Sequence, residues 1–285
     1  MFAKLLKHEW KANGGLLSIL SAGALGAGLL GALVLRLLLH IQRQNAQEDT
    51  FIWGTMGLSS ALTFIIIALV AYGFAVQFIN LFRFYKNKFT DEGYLTFTLP
   101  VSASQIFLSS LVSTLFWLVV SALVLLAAAA MIVFIGAAVP LKEHTWEIRV
   151  MLESILGIWE GETANEPGYR LFVVLQNVSG VVTAVYTVVL LMTSIVVGCV
   201  LAKKHKILAT IGSYYVINFA VGIAESVLGV VAVIVLGINE SLYNDYTSTL
   251  VLNVTMILMM VLRIGLCVGG YFLSVHLMKN KLNLP

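Results

Sequence analysis

The feature that most constrains the fold of this chain is a series of six long apolar runs. They cover residues 15–39, 55–82, 102–138, 171–201, 207–236 and 250–278. The hydrocarbon core of a bilayer is about 30 Å thick, so a helix needs roughly 20 apolar residues to cross it. Only 11% of the residues are charged, whereas soluble domains have about a quarter. The runs predict an all-α polytopic membrane protein with six transmembrane helices, forming a single transmembrane domain over residues 1–285.

The distribution of basic residues predicts the orientation of these spans. With six spans, both termini lie on the same side. Eleven Lys and Arg residues fall on that side and five on the other, and basic loops favour the cytoplasm. The acidic residues run the opposite way, with three on the side of the termini and ten on the other. We therefore expect a multi-pass plasma-membrane protein, of bacterial origin, with both termini in the cytoplasm.

Two segments outside the spans have the pattern of an amphipathic helix. Residues 2–11, FAKLLKHEWK, separate apolar residues from three lysines and predict an interfacial helix on the inner leaflet. Glu9 falls toward its apolar side, where it either contacts a neighbouring helix or lies at the water line. The longest outer loop, 139–170, repeats apolar residues at helical spacing from Ile148 to Trp159, and predicts a second amphipathic helix outside the cell.

The first and last spans contain glycines at spacings that suit close packing of helices. The first span contains GAGLLG, residues 26–31, which matches the dinucleotide-binding pattern G-x-G-x-x-G. No strand precedes it and no acidic residue follows at the required distance, so the match does not indicate a nucleotide site. We expect these glycines to allow close approach of helices within the bilayer. Gly265 and Gly269 form a G-x-x-x-G pattern that predicts the same for the last span.

Two ionisable residues lie deep in the predicted spans. Glu225 is in the fifth span and Arg263 in the sixth, at depths that differ by about 3 Å. An unpaired charge at mid-bilayer costs on the order of 3 kcal/mol or more, so we expect an intramembrane ion pair between them. The pair either fixes the packing of the two helices or forms a functional polar latch, and the sequence favours neither.

Motifs for catalysis and nucleotide binding are missing from the sequence. It contains no H-E-x-x-H, no G-x-S-x-G and no Gly-Lys-Ser/Thr phosphate-binding loop. The five histidines are scattered over both sides, and Cys199 and Cys267 have neither metal-ligand nor disulfide spacing. We predict no catalytic residue, no metal site and no enzyme activity in this chain.

The connection between the second and third spans, residues 83–100, has an unusual composition. FRFYKNKFTDEGYLTFTLP, residues 82–100, combines both charge signs, a glycine and six aromatic residues. Thr90 can begin a short helix with Asp91 and Glu92 in its first turn. The alternative is a solvated loop whose lysines only set the topology. The third span then begins at a capping box, in which Ser102 and Gln105 satisfy free backbone amides.

The run DEGYLTFTLPVSASQIFLSS, residues 91–110, resembles the cytoplasmic segment between spans two and three of type 2 permeases of ATP-binding-cassette (ABC) exporters. In that family an acidic-Gly pair leads through a Leu/Thr-rich stretch to Leu-Pro-Val-Ser and a Gln-Ile. The matching residues here are Glu92, Gly93, Leu99, Pro100, Val101, Ser102, Gln105 and Ile106. The resemblance covers the whole chain in architecture but only about 20 residues in motif. The long loop 139–170 departs from the family, whose better-known members carry the large external element between spans five and six.

The resemblance implies a coupling helix within residues 83–100 that docks on a separate ATPase subunit. The residues that would contact the ATPase are Lys88, Thr90, Asp91, Glu92, Gly93, Tyr94, Leu95 and Phe97. ATP and Mg²⁺ would be bound by the partner subunit, and no cofactor by this chain. A second permease copy or a paralogue would complete the transport path, which spans two and five would line. Candidates for that path are Gln77, Asn80, Tyr214, Tyr215 and Asn218, and hydrogen bonding between spans explains them equally well.

The resulting hypothesis is an ABC-type export permease that moves a hydrophobic peptide or drug-like substrate out of the cell. Its partners would be ATPase subunits, a second permease chain and the lipid bilayer, and no nucleic acid. An ion-coupled carrier or an integral-membrane enzyme is the first alternative. A membrane scaffold or sensor that transports nothing is the second.

Overall fold

Six long helices make up the computed structural model, which describes residues 2–44, 49–90, 93, 101–136, 169–202, 204–237 and 245–280. In chain order they are α1 (Phe2–Gln44), α2 (Asp49–Phe89), α3 (Ala103–Met131), α4 (Tyr169–Leu201), α5 (Lys206–Gly237) and α6 (Asp245–Asn280). A π-helical turn, Ile132–Gly136, extends α3. Each helix is long and apolar enough to cross a membrane, so over the described residues the prediction of an all-helical chain with six helices of spanning length is confirmed. The described residues contain no strand. The predicted helix within 139–168 lies outside them.

Large apolar side chains face outward from the helices. Phe64, Phe74 and Phe219 each expose more than two thirds of their surface, which would be costly in water and is favourable in lipid. Small hydroxyl side chains share the interior with apolar ones, as they commonly do where membrane helices pack together. Those buried to more than nine tenths are Ser109, Ser110, Ser113, Thr114, Ser121, Thr193, Ser194 and Ser274.

The helices form two compact units, of which the first comprises Met1–Lys86 and Leu108–Thr145. Its apolar core is built from α1, α2 and α3, with Leu17, Tyr72, Val76 and Trp117 among the buried residues. A Cβ atom at Gly28 would lie 2.8 Å from the Cβ and 2.9 Å from the Cα of Ala128. Glycine is therefore required where α1 crosses α3, and the close approach expected of the first span is confirmed.

The N-terminal segment is part of α1 and not a separate interfacial helix. Helix α1 runs without a break from Phe2 to Gln44. The Trp10 ring packs edge-on against Phe116 at a centroid distance of 4.2 Å. Glu9 Oε1 accepts a hydrogen bond from Ser110 Oγ at 3.4 Å, so the contact is with a neighbouring helix. These contacts hold the first turns of α1 against α3, and the helix continues through Asn13, Gly14 and Gly15 although such residues commonly end helices.

The second unit comprises Asn87–Phe107 and Trp146–Pro285. Helix α4 packs against both α5 and α6, which also contact each other. Tyr186, Leu190 and Val221 are the buried residues of its core. A Cβ atom at Gly198 would overlap the backbone of Thr210, so α4 and α5 meet closely at this glycine.

The start of α3 has the predicted cap. The Gln105 amide donates to Ser102 Oγ, and the Ser102 amide donates to Gln105 Oε1, each at 3.4 Å. The Gln105 and Ile106 amides also donate to the Ser102 carbonyl, at 3.0 and 3.1 Å. The reciprocal pair is the capping box predicted from the sequence, and it fixes where the connection between α2 and α3 ends.

Candidate functional site

The connection between α2 and α3 is shorter than the sequence suggests. Helix α2 continues through Arg83 to Phe89, because no proline, glycine or cap interrupts it before Thr90. The Arg83 guanidinium donates to the Ala12 carbonyl of α1. The Gly93 amide donates to the Thr90 carbonyl at 2.8 Å, which closes a turn directly after α2. Asp91, Glu92, Tyr94, Leu95 and Phe97 lie outside the described residues, so the coupling helix stays a prediction.

The base of this connection is buried in the second unit. Lys88 exposes 3% of its surface and Phe89 only 1%. Lys206, the first residue of α5, donates from its ammonium group to the Phe89 carbonyl at 3.0 Å. That carbonyl lies at the C-terminal end of α2, where helix carbonyls lack intrahelical partners and a positive charge is favourable.

The first turns of α3 are attached to the same unit. Phe107 is fully buried, and its ring packs edge-on against Tyr271 of α6 at a centroid distance of 5.9 Å. Both ends of the connection are therefore fixed, one to α5 and the other to α6. Sequence reasoning missed Lys206 and Tyr271, since no local pattern marks a contact between residues more than 100 positions apart.

Glu225 and Arg263 form a two-point ion pair between α5 and α6. Arg263 Nε lies 2.7 Å from Glu225 Oε1, and Nη2 lies 3.2 Å from Oε2. Arg263 Nη1 also donates to Thr183 Oγ1 of α4, a contact the sequence analysis did not identify. The side chains are 22–23% exposed. One guanidinium thus joins three helices.

The candidate pathway residues fall in different environments. In the first unit, Asn80 is 2% exposed and accepts a hydrogen bond from Asn13 Nδ2 at 3.1 Å. Gln77 carries a buried carbonyl oxygen with no hydrogen-bond partner among the described residues. In the second unit, Tyr214 is half-buried, whereas Tyr215 and Asn218 are exposed on α5. Asn80 therefore links helices, the Gln77 carbonyl oxygen is buried, and Tyr215 and Asn218 lie on the exposed face of α5.

The two glycines of the G-x-x-x-G pattern in the last span, Gly265 and Gly269, do not make the predicted close contact with another helix. Within the described part of the chain, nothing lies within 4 Å of a Cβ atom built at Gly265 or Gly269. The adjacent Gly270 makes the close approach instead, because a Cβ there would lie 3.0 Å from Thr193 Oγ1 of α4. The predicted close approach at Gly265 and Gly269 is therefore wrong, and the close contact of α6 with α4 lies at Gly270.

Comparison of the chain with protein-family models, with curated proteins and with solved structures finds no match.

Proposed function

We propose that this chain is the membrane subunit of an ABC-type exporter. Separate nucleotide-binding subunits would hydrolyse ATP, and a pair of permease chains would move a hydrophobic peptide or drug-like substrate out of the cell. The proposal rests on the six spans, on the excess of basic residues on the side of the termini, and on the resemblance of residues 91–110 to the coupling segment of type 2 permeases.

The observation that carries the proposal is the burial of the connection's base. A solvated loop whose lysines only set the topology would leave Lys88 in water, yet this side chain is 3% exposed. The contacts Lys206–Phe89 and Tyr271–Phe107 tie both ends of the connection to the second unit. A force applied to residues 90–100 would reach α5 and α6 through these contacts, as a coupling element requires.

The burial of Lys88 and Phe89 divides the connection between α2 and α3 into two parts. Lys88 and Phe89 belong to its anchored base, so in this proposal the ATPase contacts come from Thr90 onward, from Asp91 to Phe97. These residues would form the coupling helix. Residues 2–11, at the start of α1, would lie on the cytoplasmic side. The path between two permease chains would take its polar groups from α2 and α5.

Co-purification tests the proposal directly. The chain is expressed together with each ABC-type ATPase subunit encoded in the same genome, purified in lipid nanodiscs, and assayed for ATP hydrolysis. We expect the ATPase to co-purify and its activity to rise when the permease is present. The variants Glu92→Lys and Gly93→Val should remove this stimulation, because they change the charge and backbone freedom of the docking surface. Glu153→Lys, the same charge reversal in the predicted outer loop, is the matched control.

Loss of stimulation in the first two variants, with the control unaffected, supports an exporter subunit. Failure of any ATPase to co-purify would argue for the scaffold or for an ion-coupled carrier. Equal stimulation by Glu92→Lys and the unmodified chain would exclude the coupling role of this segment.

A further inference from the structure

Three lysines and a histidine form one exposed face at the start of α1, which we call the basic stripe. At 3.6 residues per turn they fall within an arc of about 100° around the helix. Its members, all of them exposed, are Lys4, Lys7, His8 and Lys11. The only acidic residue of α1, Glu9, lies on the opposite side of the helix, where it accepts the hydrogen bond from Ser110. The basic stripe therefore carries positive charge with no acidic group of α1 beside it.

Contacts on the other side of α1 fix the direction in which the basic stripe points. Asn13 is 6% exposed and donates to Asn80 of α2, and Leu17 is fully buried in the core of the first unit. Asn13 and Leu17 lie roughly opposite Lys4 around the helix axis. Rotation of α1 would expose both of them, so these contacts hold the basic stripe outward, away from the core of the first unit.

The basic stripe lies at the height of lipid headgroups. The apolar run of α1 begins at residue 15, which is about 6 Å along the helix after Lys11. The polar layer on each side of a bilayer is about 5–8 Å thick, so Lys11 lies within it. Lys7 and Lys4 follow about 6 and 10 Å further out along the axis. The negative potential of anionic lipids extends over a Debye length of about 8–10 Å and therefore reaches these two lysines as well.

The same face of α1 continues into the membrane without a bulky side chain. Beyond Lys11 the arc contains Gly15, Ser18 and Ala22, and all three are exposed. No described atom lies within 4 Å of a Cβ atom built at Gly15. Trp10, beside the basic stripe, is 42% exposed, and tryptophan is enriched at membrane interfaces. A soluble partner would meet only the lysines, whereas a phospholipid matches both the charges and the smooth apolar surface that follows them.

We propose that the basic stripe binds the headgroup of an anionic phospholipid. The phosphate oxygens accept hydrogen bonds from the side chains of the stripe, since lysine ammonium groups are well suited to phosphate as point charges. The acyl chains lie over Gly15 and Ala22. This inference depends neither on an ATPase partner nor on the side of the membrane that holds the N-terminus, because it concerns only α1 and the lipid beside it.

The test compares two photoactivatable phospholipids that differ in headgroup charge, anionic phosphatidylglycerol and zwitterionic phosphatidylcholine. Each carries a diazirine near the start of one acyl chain. The purified chain, without any ATPase, is placed in phosphatidylcholine nanodiscs that contain an equal small fraction of either probe. After irradiation, adducts are mapped by mass spectrometry on residues 12–26 of α1. Adducts around Val230, an exposed residue near the other end of α5, serve as an internal reference.

We expect the anionic probe to label residues 12–26 more than the zwitterionic probe, by about fivefold for each lysine that reaches the headgroup. At Val230 the ratio of the two probes should stay close to one. Salt at roughly 1 M, which shortens the Debye length to about 3 Å, should lower the ratio on α1.

Two double variants and one control make the test specific. Lys7→Gln with Lys11→Gln removes two charges of the basic stripe and should lower the ratio on α1 at least about fivefold. Lys7→Arg with Lys11→Arg retains the charge and should retain the excess. Lys204→Gln with Lys279→Gln removes the same charge at two exposed positions outside α1, and should leave the ratio on α1 unchanged.

Equal labelling of α1 by the two probes in the unmodified chain would overturn the proposal. So would an excess that survives in the glutamine variant of the stripe, or one that the control variant loses to the same extent, because it would then reflect net charge alone. Equal labelling together with weaker co-purification of an ATPase in the glutamine variant would assign the basic stripe to an acidic protein surface instead. The comparison of the two probes and its salt dependence need no variant, so they decide the question even if a variant does not fold.

Discussion

Arg263 makes hydrogen bonds to side chains of two other helices. Its guanidinium satisfies both oxygens of Glu225 and reaches Thr183 on a third helix. The planar fork of arginine suits this two-point geometry, whereas lysine offers only a point charge. Removal of either charge leaves the other unpaired within the membrane, where its cost is highest.

We predict that Arg263→Met lowers the stability of the folded chain by about 3 kcal/mol. This corresponds to a fall in melting temperature of roughly 6–12 °C. The physical reason is that Glu225 loses both of its charged hydrogen bonds and remains at mid-membrane depth. Thermal unfolding followed by tryptophan fluorescence in detergent measures the change.

The double variant Glu225→Gln with Arg263→Met separates the two roles of the pair. If the pair only fixes the packing of α5 and α6, the double variant recovers most of the lost stability and retains transport. Recovered stability with lost transport would assign a functional role to the charges. A single variant as stable as the unmodified chain would contradict the importance of the pair altogether.

Contacts of individual residues could be predicted from the sequence where a single quantity, such as depth in the membrane, determines which residues meet. The pairing of Glu225 and Arg263 was predicted from their similar depths in the membrane. Two adjacent spans joined by a short loop run antiparallel, so residues at the same depth can meet. Lys88 shows the limit. A lysine next to a predicted span is normally expected to be solvent-exposed and to determine only the orientation of the span. The burial of Lys88 depends instead on how the end of α2 packs against α5, and no local sequence pattern predicts that contact.

At the scale of elements, α1 and α3 approach each other closely at Gly28 and Ala128. We predict that Gly28→Val destabilises the fold by about 1–3 kcal/mol, because the new side chain would collide with the backbone of Ala128, which cannot move aside as a flexible side chain would. Gly26→Val is the control, since nothing lies within 4 Å of its Cβ position. Melting temperatures of the two variants test the prediction, and equal losses would place the close approach elsewhere.

The sequence predicted the number and type of elements better than their limits. The apolar run of the first span begins at residue 15, yet α1 begins at Phe2. Hydrophobicity marks the part of a helix that lipid surrounds. The helix itself continues as long as the backbone is satisfied and neighbours such as Phe116 support it. The same reason extends α2 to Phe89 beyond the predicted end at residue 82.

For the whole molecule, the orientation in the membrane is the property on which the proposed function most depends. We predict that residue 91 is cytoplasmic and residue 153 is outside. In a background with Cys199→Ala and Cys267→Ala, the single variants Asp91→Cys and Glu153→Cys are treated with a membrane-impermeant maleimide on intact cells. Only Glu153→Cys should react, and Asp91→Cys should react only after the membrane is opened. The reverse pattern would rule out contact between residues 90–100 and a cytoplasmic ATPase.

The uninterrupted course of α1 has a mechanical consequence. Its crossing with α3 at Gly28 leaves about 39 Å of helix toward the N-terminus and about 24 Å toward Gln44. If α1 tilts as a rod about that fulcrum, a displacement of its N-terminal tip appears at the opposite membrane face in the reverse direction and at roughly 0.6 of its size. A movement of Arg83 that shifts α1 at Ala12 would then also move the far end of α1. No side chain between the two membrane faces would need to change its conformation for this.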